Sequence, residues 1–408
     1  MSLLCTPLSA QDEDRIWGRV LTDSGAVHEG FIRWDRNEGS WVDVLDGSKQ
    51  LPEENYLAWL SANHGDRAER VIELQGYRIS WEEEHPDFPL TAASGIRFGH
   101  LASLEVTGRR SVELTLRSGQ KVELEGGTTD LGPGLRRLII DVPGEDEVRL
   151  RWRDLEQVTF SRAPPGVRAT SRRLHGTVED ERGRRFTGYI AWDLDEILES
   201  DVLDGDDMEE GEDHEIPFRD IVSIEKISRG SRVTLENGDT LDLTGTNDVD
   251  DDNSGIHISD PDLGMVEVEW EEFRVLRLHE RDGSVGYDTF DGGGLLRGTV
   301  TTQDGEEIEG TIRWDADEAS SWEFLNGQDD ADFSIELDRV SSIERAEGFG
   351  AVVTLLDGRT FELFDSNDVD FDNKGVMIAP EDADHADADV WRMVSWDDFR
   401  AIRFRSGG

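Results

Sequence analysis

Two stretches of the sequence concentrate hard oxygen ligands: Asn247 to Gly255 reads NDVDDDNSG, and Asn367 to Gly375 reads NDVDFDNKG. Asp248, Asp250 and Asp252 with Asn253, and Asp368, Asp370 and Asp372 with Asn373, can converge from one side of a curled loop. Ca²⁺ takes such oxygen-only sets, so calcium is the candidate cofactor and these eight residues are the candidate ligands. The pattern is not an EF-hand, because its glycine falls two positions late and no glutamate closes the loop. The competing reading is an Asx-rich turn joining two strands, in which the same side chains cap backbone amides.

Signatures of catalysis do not accompany these ligands. None of the nine histidines lies in a His-Glu-x-x-His pattern, and neither a Gly-x-Ser-x-Gly elbow nor a Gly-Lys-Ser/Thr phosphate loop occurs. With 92 Asp and Glu, carboxylate pairs arise from composition alone and do not mark a glycosidase. The chain therefore reads as non-catalytic. Aromatic side chains offer the other candidate chemistry: Tyr56, Trp59, Tyr77 and Trp81 fall in one segment and could bind a protein or glycan partner. The steps Trp34-Asp35, Trp192-Asp193 and Trp314-Asp315 suggest sugar stacking too, but Ile32 shares a strand face with Trp34 and wants the core. Those tryptophans, with Trp152, Trp270 and Trp396, are expected to be buried.

The elements that position these residues are repeated. Gly18, Gly25, Gly30, Trp34 and Gly47 recur at identical spacing as Gly176, Gly183, Gly188, Trp192 and Gly205, and again as Gly298, Gly305, Gly310, Trp314 and Gly327. The order of apolar positions continues downstream and closes each time on a similar motif, Trp152 to Phe160, Trp270 to Leu278 and Trp396 to Phe404. Three homologous copies follow, at 13–161, 172–280 and 295–405, separated by proline- and glycine-bearing joints. The first carries an insertion, 48–94, which holds the four partner candidates. Around Asp130 the first copy lacks the acidic set of the other two.

Within a copy the period is two, as in Val233, Leu235, Leu241 and Leu243 around Asn237-Gly238, which reads as a hairpin. Phe218, Ile221 and Ile224 step by three instead, as do Trp270, Phe273 and Leu276, and suit a single 3₁₀ turn between strands. The expected class is all-β, each copy dividing into halves at 176–226 and 232–278 in the second. That strand order, with Gly183, Gly188 and Asp193 and then Gly238, Asp248 and Asn253, resembles the SH3-like and Sm-like small β-barrels. The resemblance implies a pair of small barrels per copy. Sm-like proteins bind RNA through basic and aromatic residues near that Asp and Asn, whereas Asp250, Asp251 and Asp252 stand here, so only the fold is carried over.

Composition sets the partners aside or keeps them. The chain has 42 Lys+Arg against 92 Asp+Glu, a net charge of -50, which repels phosphate and disfavours nucleic acid. No run approaches the roughly 20 apolar residues of a spanning helix, so membrane insertion is not expected. Only Lys49, Lys121, Lys226 and Lys374 are lysines, and acid-rich, lysine-poor surfaces suit concentrated salt, where charge is screened within a few ångströms. Residues 1–11 end in small residues before Asp12 and resemble the last part of a secretory signal peptide without its basic start. The expected setting is periplasmic or otherwise extracytoplasmic, the alternative being the cytoplasm of a salt-accumulating organism. The sequence thus points to a non-catalytic binding or scaffold protein of the cell envelope that presents loops to a protein or glycan, the alternative being a calcium-binding envelope protein.

Overall fold

The computed structural model describes residues 13–50, 72–74, 77–79, 91–126, 129–346, 348–385 and 390–405. Tyr56, Trp59, Trp81 and the leader-like residues 1–11 lie outside the described residues, and Tyr77 opens a short strand, Tyr77–Ile79, described as backbone only. The fold is all-β, with 52% strand and no α-helix among the described residues. Its strands form antiparallel sheets of ten, twelve and eight members beside one two-stranded ribbon. Alternation explains the class: in Ser111–Leu116, Val112, Leu114 and Leu116 are buried while the residues between them are only partly covered.

The repeated residues make repeated pairs. Gly18 faces Gly30, Gly176 faces Gly188 and Gly298 faces Gly310 across the opening hairpins. Each opening strand also pairs with the closing strand of its copy, Val20 opposite Val158, Val178 opposite Leu276 and Val300 opposite Ile402, with a register shift just beyond in all three. The glycines permit close approach. A Cβ at Gly30, Gly188 or Gly310 would fall inside 3.0 Å of the carbonyl oxygen of Asp141, Ser259 or Ala379 on the neighbouring strand. The first of the three-residue steps forms a 3₁₀ turn in each copy, at Phe98–His100, Phe218–Asp220 and Leu337–Arg339. Of the closing steps only Trp152–Asp154 does; the expected 3₁₀ turn at Trp270 is a plain turn, as is that at Trp396.

The small barrels expected from the resemblance are not formed, because the sheets are open rather than closed. Strand neighbours give the reason. In the second copy the closing strand Phe273–Leu278 lies between the opening strand His175–Asp180 and Ile221–Ile227, and Arg185–Trp192 pairs with Ile256–Asp260. Strands from the two halves are interleaved in one sheet, so neither half can close on itself. The third copy does the same within the eight-stranded sheet, where Phe399–Phe404 lies between Val340–Arg345 and Arg297–Thr302.

Two compact units result, one of Met1–Gly47, Gly95–Gly293 and Gln328–Ile335, the other of Ser48–Ser94, Gly294–Gly327 and Glu336–Gly408. The second copy and most of the first fall in one unit and most of the third in the other, but 48–94 of the first copy belongs to the unit of the third, and 328–335 of the third to the unit of the first two. Each has an aromatic core: Trp34, Trp192 and Trp314 are fully buried, and Trp152, Trp270 and Trp396 nearly so, as the alternation of the strands requires.

Candidate metal centre

Each copy turns sharply after its core tryptophan. Trp34, Trp192 and Trp314 exchange both backbone hydrogen bonds with Glu38, Glu196 and Glu318, at 2.8 to 3.1 Å. Two residues inside each turn take positive φ: Asp35 and Arg36 at 42° and 82°, Asp193 and Leu194 at 47° and 61°, Asp315 and Ala316 at 45° and 63°. Aspartate tolerates this region, but arginine, leucine and alanine do not favour it, so the turn must be held from outside.

The holding bonds recur in all three copies. Oδ1 of the first turn aspartate accepts the backbone N–H of Arg136 (2.5 Å), Ser254 (2.5 Å) or Lys374. The tryptophan Nε1 donates to the carbonyl of Asp130 (3.0 Å), Asp248 (2.8 Å) or Asp368 (2.9 Å). Oδ2 of that second aspartate accepts the amide of Asp46 (2.7 Å), Asp204 (2.7 Å) or Asn326 (2.6 Å). Asp130 therefore does what Asp248 and Asp368 do, which corrects the reading that the first copy lacks the whole set.

The remaining sequence candidates are placed along the loop itself. Asp250 accepts the amides of Gly245 (3.0 Å) and Asp252 (3.2 Å), and Asp370 that of Asp372 (2.9 Å). Asn253 and Asn373 cap Gly255 and Gly375 at 3.0 and 2.8 Å, while Asp252 and Asp372 are exposed. Among the described residues, the carboxylates whose oxygens gather within 4.8 Å of one another are different ones: Asp193, Asp195 and Glu196, and Asp315, Asp317 and Glu318. These two clusters could hold a metal ion. Sequence reasoning read the Trp-Asp step as a core signal and stopped there; the signal it passed over is the five-residue run W-D-x-(D/N)-E, present in all three copies.

The third-copy cluster is wholly buried. Lys374 Nζ lies 2.7 Å from Asp315 Oδ2 and 3.4 Å from Asp317 Oδ1, and Lys49 Nζ donates to the Asp317 carbonyl (2.6 Å) and to Glu323. Two ammonium groups thus face five carboxyls, counting Asp368. Burial, with Asp317 and Asp368 adding to it, pushes Glu318 well above the usual carboxylate range. Burial also takes Asp368 up to about 7 against the opposing Asn326 amide. Although burial favours its neutral amine, Lys374 is held above its ordinary range by Asp315 and Asp317. Glu318 is 7% exposed, and its Oε2 has no hydrogen-bond partner.

In the second copy Asp195 Oδ2 lies 2.9 Å from both Arg36 and Arg136 Nη1, and Asn247 donates to Asp193 Oδ2. Burial, reinforced by Asp248, takes Glu196 up to about 10, and its Oε2 is also unpartnered. The first copy has Asn37 where the others have Asp195 and Asp317, so one carboxylate fewer, and Arg136 Nε stands 3.2 Å from Asp35 Oδ2.

The first turn yields a pH prediction. Burial raises Asp130 to about 8, with Asp46 adding to it, and raises Asp46 to about 6 against the pull of His257. A raised carboxyl stabilises the fold fully below its unfolded pKa near 4 and loses that contribution as pH rises through the folded value. The loss therefore falls between about pH 4, the unfolded value, and about pH 8, the higher of the two folded ones. In chelator, melting of the first compact unit should drop by roughly 5 °C across that window, a change of order 2 kcal/mol. Asp130→Asn keeps an acceptor for the Asp46 amide and should reduce the slope, the raised Glu196 and Asp248 of the same unit supplying the remainder; an unchanged slope in that variant would remove Asp130 as a source.

Comparison with known proteins gives no match, whether with family models, curated proteins or solved structures.

Proposed function

We propose that the chain is a non-catalytic binding protein that takes up divalent cations at its buried Trp-Asp turns, with calcium the ion best suited to an all-oxygen donor set. The observation that carries this reading is Glu318 Oε2, buried without a partner among carboxylates that outnumber the nearby lysines. A buried carboxyl oxygen with no donor is costly, and an ion is one of the few things that would satisfy it. The loop residues Asp248 and Asp368 then act as supports, since their carboxylates hold backbone amides while bordering the clusters. An extracytoplasmic setting fits, because weak calcium modules work where the free ion is plentiful.

A calcium titration of chelated protein tests it. Saturating Ca²⁺ should raise the melting temperature by about 5 °C, as linkage predicts for an ion at roughly a hundred times its dissociation constant. Equal ionic strength of sodium chloride should not reproduce the shift. No heat of binding and no shift at millimolar Ca²⁺ would remove the reading. A second reading, presentation of a surface to a protein or glycan partner, is favoured by one feature of the third copy. Phe349 and Phe371 are 78% and 65% exposed, their ring centroids 6.1 Å apart, beside the acidic loop.

A further inference from the structure

Resting on the cation-binding reading, we infer that Lys374 is a tethered counter-ion of the third turn, and that a divalent cation binds Asp315, Asp317 and Glu318 by displacing its ammonium group. Three copies allow the comparison. The backbone amides of Arg136, Ser254 and Lys374 make the same bond to the first turn aspartate, so these residues occupy one position in the repeat. Their side chains differ. Arg136 folds back on its own turn, with Nη2 2.6 Å from the Asp35 carbonyl and 3.1 Å from Asn37 Oδ1. Ser254 brings no charge, and Lys374 places its ammonium on two of the three clustered carboxylates.

The ammonium and a metal ion compete for the same lone pairs. Asp315 Oδ2 receives Lys374 Nζ and the Asn367 amide, and Asp317 Oδ1 receives Lys374 Nζ at the longer distance. Lys374 has no hydrogen bond to Glu318, whose Oε2 remains without a partner in a 93%-buried side chain. The tethered cation therefore serves two carboxylates and leaves the third unserved. Lys49 is not the group that moves, because it is anchored on Glu323 and on the Asp317 carbonyl rather than on the clustered oxygens. Holding a divalent ion beside a resident positive charge in a dry site is strongly unfavourable, so uptake requires Lys374 to swing away. Calcium should consequently bind the third turn more weakly than its carboxylates alone would allow.

The test is equilibrium dialysis of the chelated full-length protein against calcium alone. Lys374→Ser, which installs the second copy's residue, should tighten binding at least about tenfold, and adding Glu318→Gln should cancel the gain. A wild-type measurement guards against a variant that fails to fold: acylation of lysines by an amine-reactive ester, read by mass spectrometry. Labelling of Lys374 should rise as calcium is added, over the concentration range in which calcium binds, with Lys121 as the reference. Calcium binding with Lys374 labelling unchanged, or with Lys374→Ser no tighter, overturns the exchange and leaves the cation reading standing. No calcium bound by wild type or by a folded Lys374→Ser overturns both.

Discussion

Trp314→Ala is expected to lower the melting temperature of the second compact unit by roughly 10–15 °C, the effect of about 4 kcal/mol on a domain of this size. The indole has no exposed surface, meets Trp396 edge-on at 6.2 Å and Phe399 at 5.3 Å, and donates its N–H to the Asp368 carbonyl. Truncation leaves a cavity and an orphaned carbonyl together. It also releases the loop that carries Lys374, so the turn should lose its positive-φ geometry and the unit its calcium response. Trp314→Phe separates the two contributions: it keeps most of the packing and gives up the hydrogen bond, at about 1–2 kcal/mol. Near-ultraviolet circular dichroism during thermal unfolding reads both variants. A Trp314→Ala protein melting within about 2 °C of wild type would mean that the indole is not a core residue.

Gly310→Ala is the second large effect, at about 3 kcal/mol. The added methyl would collide with the Ala379 carbonyl and crowd Ile378 Cγ2, which lies 3.0 Å from the Cβ position. That carbonyl cannot step aside, because its strand is paired residue by residue, Thr311 with Ala379 and Ile312 with Ile378. Gly305→Ala is the instructive contrast. At φ +89° with open space around it, that glycine faces only a conformational penalty, about 1 kcal/mol. Urea unfolding of both variants should give a ratio near three, and equal losses would contradict the close-approach account of the repeated glycines.

Much of the fold could be read from the chain because it depends on local pattern. Alternation at Val233, Leu235, Leu241 and Leu243 around Gly238 gave the hairpin, whose strands Gly230–Leu235 and Thr240–Thr244 pair as expected. The three-residue step at Phe218 gave its 3₁₀ turn. Strand neighbours were not legible, since a period of two says which face a residue takes and nothing about which strand lies beside it. That is why Phe273–Leu278 looked like the end of a second barrel and instead lies between strands of the first half. The candidate site was half legible for a similar reason. Asp248 and Asp368 were singled out correctly as part of an acidic loop, but the partners of that loop are the Trp192 and Trp314 turns, more than fifty residues upstream. Asp130 was hidden because its neighbours share nothing with the NDVDxDN stretches except the one carboxylate that the tryptophan bond requires.

The pairing of first strand with last has a consequence for biosynthesis. Arg297–Thr302 and Glu307–Arg313 leave the ribosome long before Phe399–Phe404, the partner of the former, has been made. At ordinary elongation rates that hairpin waits about 5–20 seconds with an unfilled edge, the condition under which nascent strands find each other instead. The excess of acidic residues, which runs throughout a chain of 92 Asp and Glu against 42 Lys and Arg, should keep neighbouring nascent chains on a polysome apart during that interval, a role for the acidity in the growing protein as well as the finished one.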